Sequence, residues 1–90
     1  ERALLVQKRA SEIRPYKKKA DTLEKAIEAN DITLKKQEEL LLKASETGNA
    51  KEIQSLSIDS SKLQKEQEEL YEELEKTYTT LEEIEKAYIL

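Results

Sequence analysis

The stretch KASETGNAKE, Lys43 to Glu52, contains Gly48, the only glycine in a chain of 90 residues. Gly48 suits the left-handed conformation that closes a helix. Asn49 is a good cap for a following helix, and Glu52, three residues on, is placed as its capping-box partner. One short stretch therefore reads as a helix stop followed at once by a helix start. Two long helices joined by so tight a turn must run antiparallel.

The residues on either side carry the pattern this requires. Positions of core type recur at spacings of three and four: Ile13, Tyr16, Ala20, Leu23, Ile27, Asn30, Leu34, Gln37, Leu41 and Ala44. A second series runs Ile53, Leu56, Ser60, Leu63, Gln67, Leu70, Leu74, Thr77, Leu81, Ile84 and Tyr88. Both are heptad seams. Folding the chain between Gly48 and Asn49 makes residues face each other when their numbers add to 97. Ile13 then meets Ile84, Leu23 meets Leu74, Ile27 meets Leu70, Leu41 meets Leu56, and Ala20 meets Thr77. The polar interruptions also coincide, Asn30 with Gln67 and Gln37 with Ser60. An amide buried against leucine loses hydrogen bonds worth about 1–3 kcal/mol. Opposite another polar group it can be satisfied, and it disfavours slipped registers.

Charge agrees with this folding. Residues 1–27 carry eight Lys/Arg and four Asp/Glu, whereas residues 51–90 carry five and eleven. An antiparallel hairpin lays the basic first third beside the acidic last third, while a parallel dimer stacks like on like. The expected fold is all-α, a monomeric two-helix antiparallel coiled-coil hairpin. Pro15 fits a first helical turn better than an interior one, so the first helix is expected over 15–47, after a separate lead-in of residues 1–14. The turn is 48–49 and the second helix 50–89. SLSIDSSK, Ser55 to Lys62, is poor in helix formers and predicts a local loosening near the tip.

Composition narrows the function. With one glycine, one proline and 40% charged residues, the chain lacks the turns a globular α/β or all-β domain needs. It has no cysteine or histidine, which removes thiolate nucleophiles, imidazole bases and the usual zinc ligands. Glu68–Glu69 and Glu72–Glu73 read as a solvated face, because a two-helix hairpin offers no enclosed pocket to shift a carboxylate pKa. No catalytic residue, metal site or cofactor is expected in these residues. No apolar run reaches membrane-spanning length. A first residue Glu1 in place of methionine suggests a fragment of a longer protein.

The densest basic patch is RPYKKK, with Lys8, Arg9 and Lys25 nearby; Arg14, Lys17, Lys18 and Lys19, helped by Lys25, are candidates for neutralising phosphates, and Tyr16 for stacking on a base. The alternative is that these cations complement Glu82, Glu83 and Glu85 on the returning helix. A second candidate surface lies toward the tip, at Lys35, Lys36 and Lys43 with the apolar Leu42 and Ile58 off the seam. ALLV (Ala3 to Val6) and AYIL (Ala87 to Leu90) are brought together at the base, as an apolar plug or a contact with a further body.

IRPYKKKADTLEKAIE (Ile13 to Glu28), a turn, and LQKEQEELYEELEKTYTTLEEIE (Leu63 to Glu85) together resemble the C-terminal coiled-coil domain of ABC-F ATPases. A basic, proline-containing start leads into a Leu/Glu-rich helix, and Leu70–Tyr71 and Tyr78 stand where that family carries its Leu-Tyr pair and a later aromatic. The resemblance departs from the family at the shorter turn, SETGNAKE. It implies a non-catalytic appendage of a soluble, cytoplasmic protein acting in translation, with two ATP-binding cassettes outside this chain. The implied partners are rRNA, tRNA or DNA, a ribosomal protein, and the ATPase body itself. No P-loop motif occurs here, so ATP chemistry would reside elsewhere. The competing expectation is a structural hairpin that spaces or docks proteins without touching nucleic acid.

Overall fold

The structure, a computed structural model, describes residues 2–88. It contains two helices, α1 (Arg2–Thr47) and α2 (Ala50–Ala87), packed along their lengths as an antiparallel hairpin. The rod measures 70 × 15 × 14 Å. At 1.5 Å per residue α1 alone is about 69 Å long, so it sets the length of the molecule.

The turn is built by Gly48 and Asn49. Gly48 has φ of 70°. Its N–H donates to the Ser45 carbonyl at 3.3 Å, and the Asn49 N–H donates to the Ala44 carbonyl at 3.0 Å. This is the Schellman pair of bonds, which satisfies carbonyls that the end of α1 would otherwise leave free. The Asn49 side chain accepts from the Glu52 N–H at 3.2 Å, capping α2. The return half of the box differs from expectation. The Glu52 carboxylate accepts from the Asn49 side-chain amide at 3.1 Å, because the Asn49 backbone N–H is already committed to Ala44.

Every position of the two expected seams is buried or half-buried except Tyr16, whose ring stays 36% exposed. The deepest positions are Ile13, Ala20, Ile27 and Ala44 on α1, with Gln67, Thr77 and Leu81 on α2. Among the described residues no large side chain is completely enclosed, as expected when a seam residue has neighbours on one partner helix only. Ser60 donates to the Gln37 side chain at 2.9 Å, fixing one of the facing pairs directly. Thr77 faces Ala20 and returns its hydroxyl proton to the Glu73 carbonyl of its own helix, so this small layer leaves no hydroxyl unbonded.

Three expectations are corrected. First, α1 runs without interruption from Arg2 through Pro15, so residues 2–14 belong to the helix rather than to a separate lead-in. Proline removes one bond to the carbonyl four residues earlier, here that of Ser11, and crowds it. Both Ser11 and Pro15 are on the exposed side, where water takes over the freed carbonyl. Meanwhile Ile13 is 4% exposed, and the turns before the proline are held to α2 by Arg9–Glu85 and Tyr88–Glu12 contacts. Tertiary packing thus outweighs a local preference of roughly 3 kcal/mol. Second, α2 is continuous through Ser55–Lys62, because Leu56, Ser60 and Leu63 are anchored in the seam.

The third correction concerns the polar layer. The Gln67 amide nitrogen does not bond Asn30. It donates to the Ile27 carbonyl at 2.9 Å and to the Asp31 carboxylate at 2.8 Å. A hydrogen bond to an ionised carboxylate is roughly twice as strong as one between neutral amides, so Asp31 takes the donor. The Asn30 Nδ2 and the Gln67 Oε1 are left buried without partners. At the far end, α2 closes at Tyr88, and the expected helix limit at residue 89 lies outside the described residues.

Candidate nucleic-acid interface

The basic patch sits on α1 near the base of the rod, and the fold divides it. Lys19 forms an ion pair with Glu73 across the seam at 2.6 Å. That contact, first by hydrogen bonding and then by charge, holds the Glu73 carboxyl below the usual carboxylate range. Lys25 pairs with Asp21 one turn earlier on its own helix, at 3.1 Å. Arg9 pairs with Glu85 at 3.2 Å. Arg14, Lys17 and Lys18 are exposed and have no ion pair among the described residues. Of the three acids expected to offset the patch, Glu85 does so, through Arg9; Glu82 and Glu83 form no ion pair among the described residues.

The tip candidates are exposed. Lys35, Lys36 and Lys43 have no ion pair among the described residues, and Leu42 and Ile58 are 67% and 49% exposed. At the base, Leu5, Val6 and Arg9 of α1 meet Ala87 and Tyr88 across a shallow groove, so the two apolar ends do come together. Leu4 and Val6 remain 70% and 64% exposed. Ile89 and Leu90, expected to complete this apolar end, lie outside the described residues. Among the described residues no three carboxylates converge as a metal site needs, and no helix is long and apolar enough to cross a membrane.

Sequence reasoning missed one feature of this end. Two tyrosines reach across to carboxylates of α1: Tyr88, at the C-cap of α2, donates to Glu12 at 2.7 Å, and Tyr78 of α2 donates to Glu24. Tyr78 lies off the heptad series, which is why the pattern alone did not assign it a partner. The residue numbers of each pair add to slightly more than 97, which is the available signal. Each phenol is held above its ordinary value of 10.0, first by the hydrogen bond to the carboxylate, then by burial and by the carboxylate's charge.

A raised folded-state pKa means stability that is fully present below the unfolded value and lost as pH rises through the folded one. The two clasps therefore contribute in full below about pH 10 and are lost only as pH rises through the raised phenol values above it. Thermal melts followed by circular dichroism should show the parent losing stability more steeply than Y78F/Y88F as pH rises above about 10. All other groups are common to the two proteins, so their response to pH cancels in the comparison. Equal slopes would show that the hydroxyls do not bridge the helices in solution.

These contacts define the molecule as an antiparallel coiled-coil hairpin with a partly neutralised basic base. Comparison of the chain with protein-family models, curated proteins and solved structures gives no match.

Proposed function

We propose that this hairpin is a non-catalytic arm that binds nucleic acid through backbone phosphates, and that it serves as the C-terminal coiled coil of an ABC-F-type ATPase acting on the ribosome. The observation that carries the first part is the isolation of Arg14, Lys17 and Lys18. Arg9, Lys19 and Lys25 around them are engaged with carboxylates, and these three are not. Lys19 and Lys25 contribute by exchanging their present partners for phosphate. The second part rests on the resemblance of residues 13–28 and 63–85 to that family. It predicts two cassette-type P-loops in the coding sequence upstream of Glu1, and an upstream sequence without them removes the assignment.

The chain has a net charge of −4, so long-range attraction is poor and binding is weak and sequence-tolerant. Fluorescence anisotropy with duplex DNA and structured RNA, titrated against salt, tests it. Each phosphate neutralised contributes about −0.9 to the logarithmic salt slope on a duplex. R14Q/K17Q/K18Q should flatten the slope by about 2.7, at roughly 0.9 for each of three lost contacts. Helicity should be unchanged, since all three residues are exposed and glutamine is a good helix former. A parent that binds no better than an acidic control hairpin at low salt overturns the proposal.

A second reading, a spacer or docking arm for other proteins, is favoured by the Lys19–Glu73 and Arg9–Glu85 contacts, which turn part of the patch inward to the fold. It is the reading that survives if nucleic-acid binding fails.

A further inference from the structure

The base and tip candidates were separate surfaces when taken from the sequence, and α1 joins them. Arg14, Lys18, Lys25, Lys36 and Lys43 follow one another at spacings of four, seven, eleven and seven residues. Each spacing is close to a whole number of turns at 3.6 residues per turn, so the five share one face. Lys18 and Lys25 stand two residues, about 200° of rotation, from the nearest seam positions on either side. Arg14, Lys36 and Lys43 stand two residues from one seam position and one residue, about 100°, from Ile13, Gln37 and Ala44. The stripe therefore covers the outer half of α1, opposite the seam at Lys18 and Lys25 and on its flanks at Arg14, Lys36 and Lys43, and all five residues are exposed. Only Lys25 has an ion pair among the described residues, with Asp21.

The stripe falls into two groups. Arg14, Lys18 and Lys25 form one and Lys36 and Lys43 the other, with the uncharged Ala29 and Ile32 on the same face between them. Their centres are about 20 residues apart, or about 30 Å along the helix. A straight rod laid along a nucleic-acid duplex meets the same strand once per turn, about 34 Å for B-form DNA. Flexible lysine side chains absorb the remaining few ångströms. Two acids stand on the same face, Asp21 within the first group, where it pairs with Lys25, and Glu39 between Lys36 and Lys43. α1 as a whole carries eleven Lys/Arg against eight Asp/Glu, while α2 carries five against eleven. Charge therefore directs a polyanion to the outer side of α1.

We infer that the outer face of α1 is a two-point track for a nucleic-acid duplex, gripping the phosphate backbone at positions about one helical turn apart. This rests on the nucleic-acid reading above and adds to it a ligand form, a duplex longer than one turn, and a single surface in place of two rival ones. Lys17 and Lys35, five whole turns apart, both border the track, and Lys19 lies off it.

Anisotropy with two DNA probes tests the track: a loop-capped 8-base-pair duplex, shorter than one turn and so unable to offer one strand to both groups, and a 24-base-pair duplex. The parent should bind the longer probe at least tenfold more tightly at low salt, with a steeper salt slope. K36Q/K43Q should lose about 1.8 from that slope on the long probe, at roughly 0.9 per phosphate, and nothing on the short one. E39Q should tighten binding to the long probe only. K62Q/K65Q, which removes the same charge from α2, should behave as the parent. Binding by the parent with K36Q/K43Q indistinguishable from it overturns the track and leaves the base-only reading standing. Equal effects of K62Q/K65Q and K36Q/K43Q overturn it in favour of overall charge. Equal affinity for poly-glutamate and for the long duplex overturns the duplex geometry. No binding of either DNA probe, with R14Q/K17Q/K18Q also silent, overturns the nucleic-acid reading itself.

Discussion

Cysteines placed at Leu23 and Leu74 should oxidise to an intramolecular disulfide that stabilises the hairpin by about 4 kcal/mol. That figure follows from the chain entropy removed when a loop of about fifty residues is closed in the unfolded state. Both positions lie in the seam and are half-buried. The layer is bracketed by contacts that fix its register: Ala20 and Thr77 are buried one turn toward the base, Lys19 reaches Glu73 there, and Gln67 reaches Ile27 on the other side. Facing seam residues bring their Cβ atoms within the range a disulfide spans. L23C/L81C is displaced by one heptad, about 10 Å along the axis, and should not close within one chain. Non-reducing electrophoresis and urea melts with and without reductant measure both outcomes. Bridging of the displaced pair, or dimers alone from the matched one, would show that the chain does not hold this register in solution.

The second large effect is expected at the polar layer. N30L/Q67L should stabilise the hairpin by about 2 kcal/mol while weakening its preference for the monomeric, in-register state. The substitution removes two buried polar atoms with no partner, the Asn30 Nδ2 and the Gln67 Oε1, each of which costs about 1–3 kcal/mol. It also sacrifices the two hydrogen bonds of the Gln67 amide. Asp31 is exposed and regains water, and the Ile27 carbonyl is within helical hydrogen bonding, so that loss is the smaller term. Leucines at both positions leave a continuous apolar seam, which slipped or intermolecular pairings satisfy equally well. Thermal midpoints and sedimentation equilibrium separate the two effects. A clear fall in stability would mean that Gln67 is worth more through Asp31 than its buried oxygen costs.

Much of this protein is legible locally because a hairpin of long helices repeats one simple rule. The spacing of apolar residues gives the seam, Gly48 and Asn49 give the turn, and the turn gives the register. Where local preference and tertiary packing disagreed, packing prevailed. Pro15 marks a helix start when only its backbone chemistry is considered. With Ile13 buried and Arg9 and Glu12 held by α2, the helix continues through it. The same holds for Ser55–Lys62, whose weak helix formers are carried by Leu56 and Leu63.

The candidate surface was less legible, because a charge run in a sequence does not say which charges are already engaged. Arg14, Lys17, Lys18 and Lys19 are near neighbours in the chain, yet Lys19 points to the flank where Glu73 stands and Lys18 to the side away from α2. One residue is 100° of rotation on a helix, enough to separate an ion pair from a free cation. The Tyr78–Glu24 and Tyr88–Glu12 clasps were equally out of reach, since they join residues far apart in sequence and off the facing register by a few positions. The sequence by itself determined the helix content, the turn and the pairing of the seams, because these follow from periodicity and from one glycine. Only the tertiary structure decided the continuity of α1, the partner of Gln67 and which cations stay free, because each of these is settled by a competition between groups that meet only after the hairpin has closed.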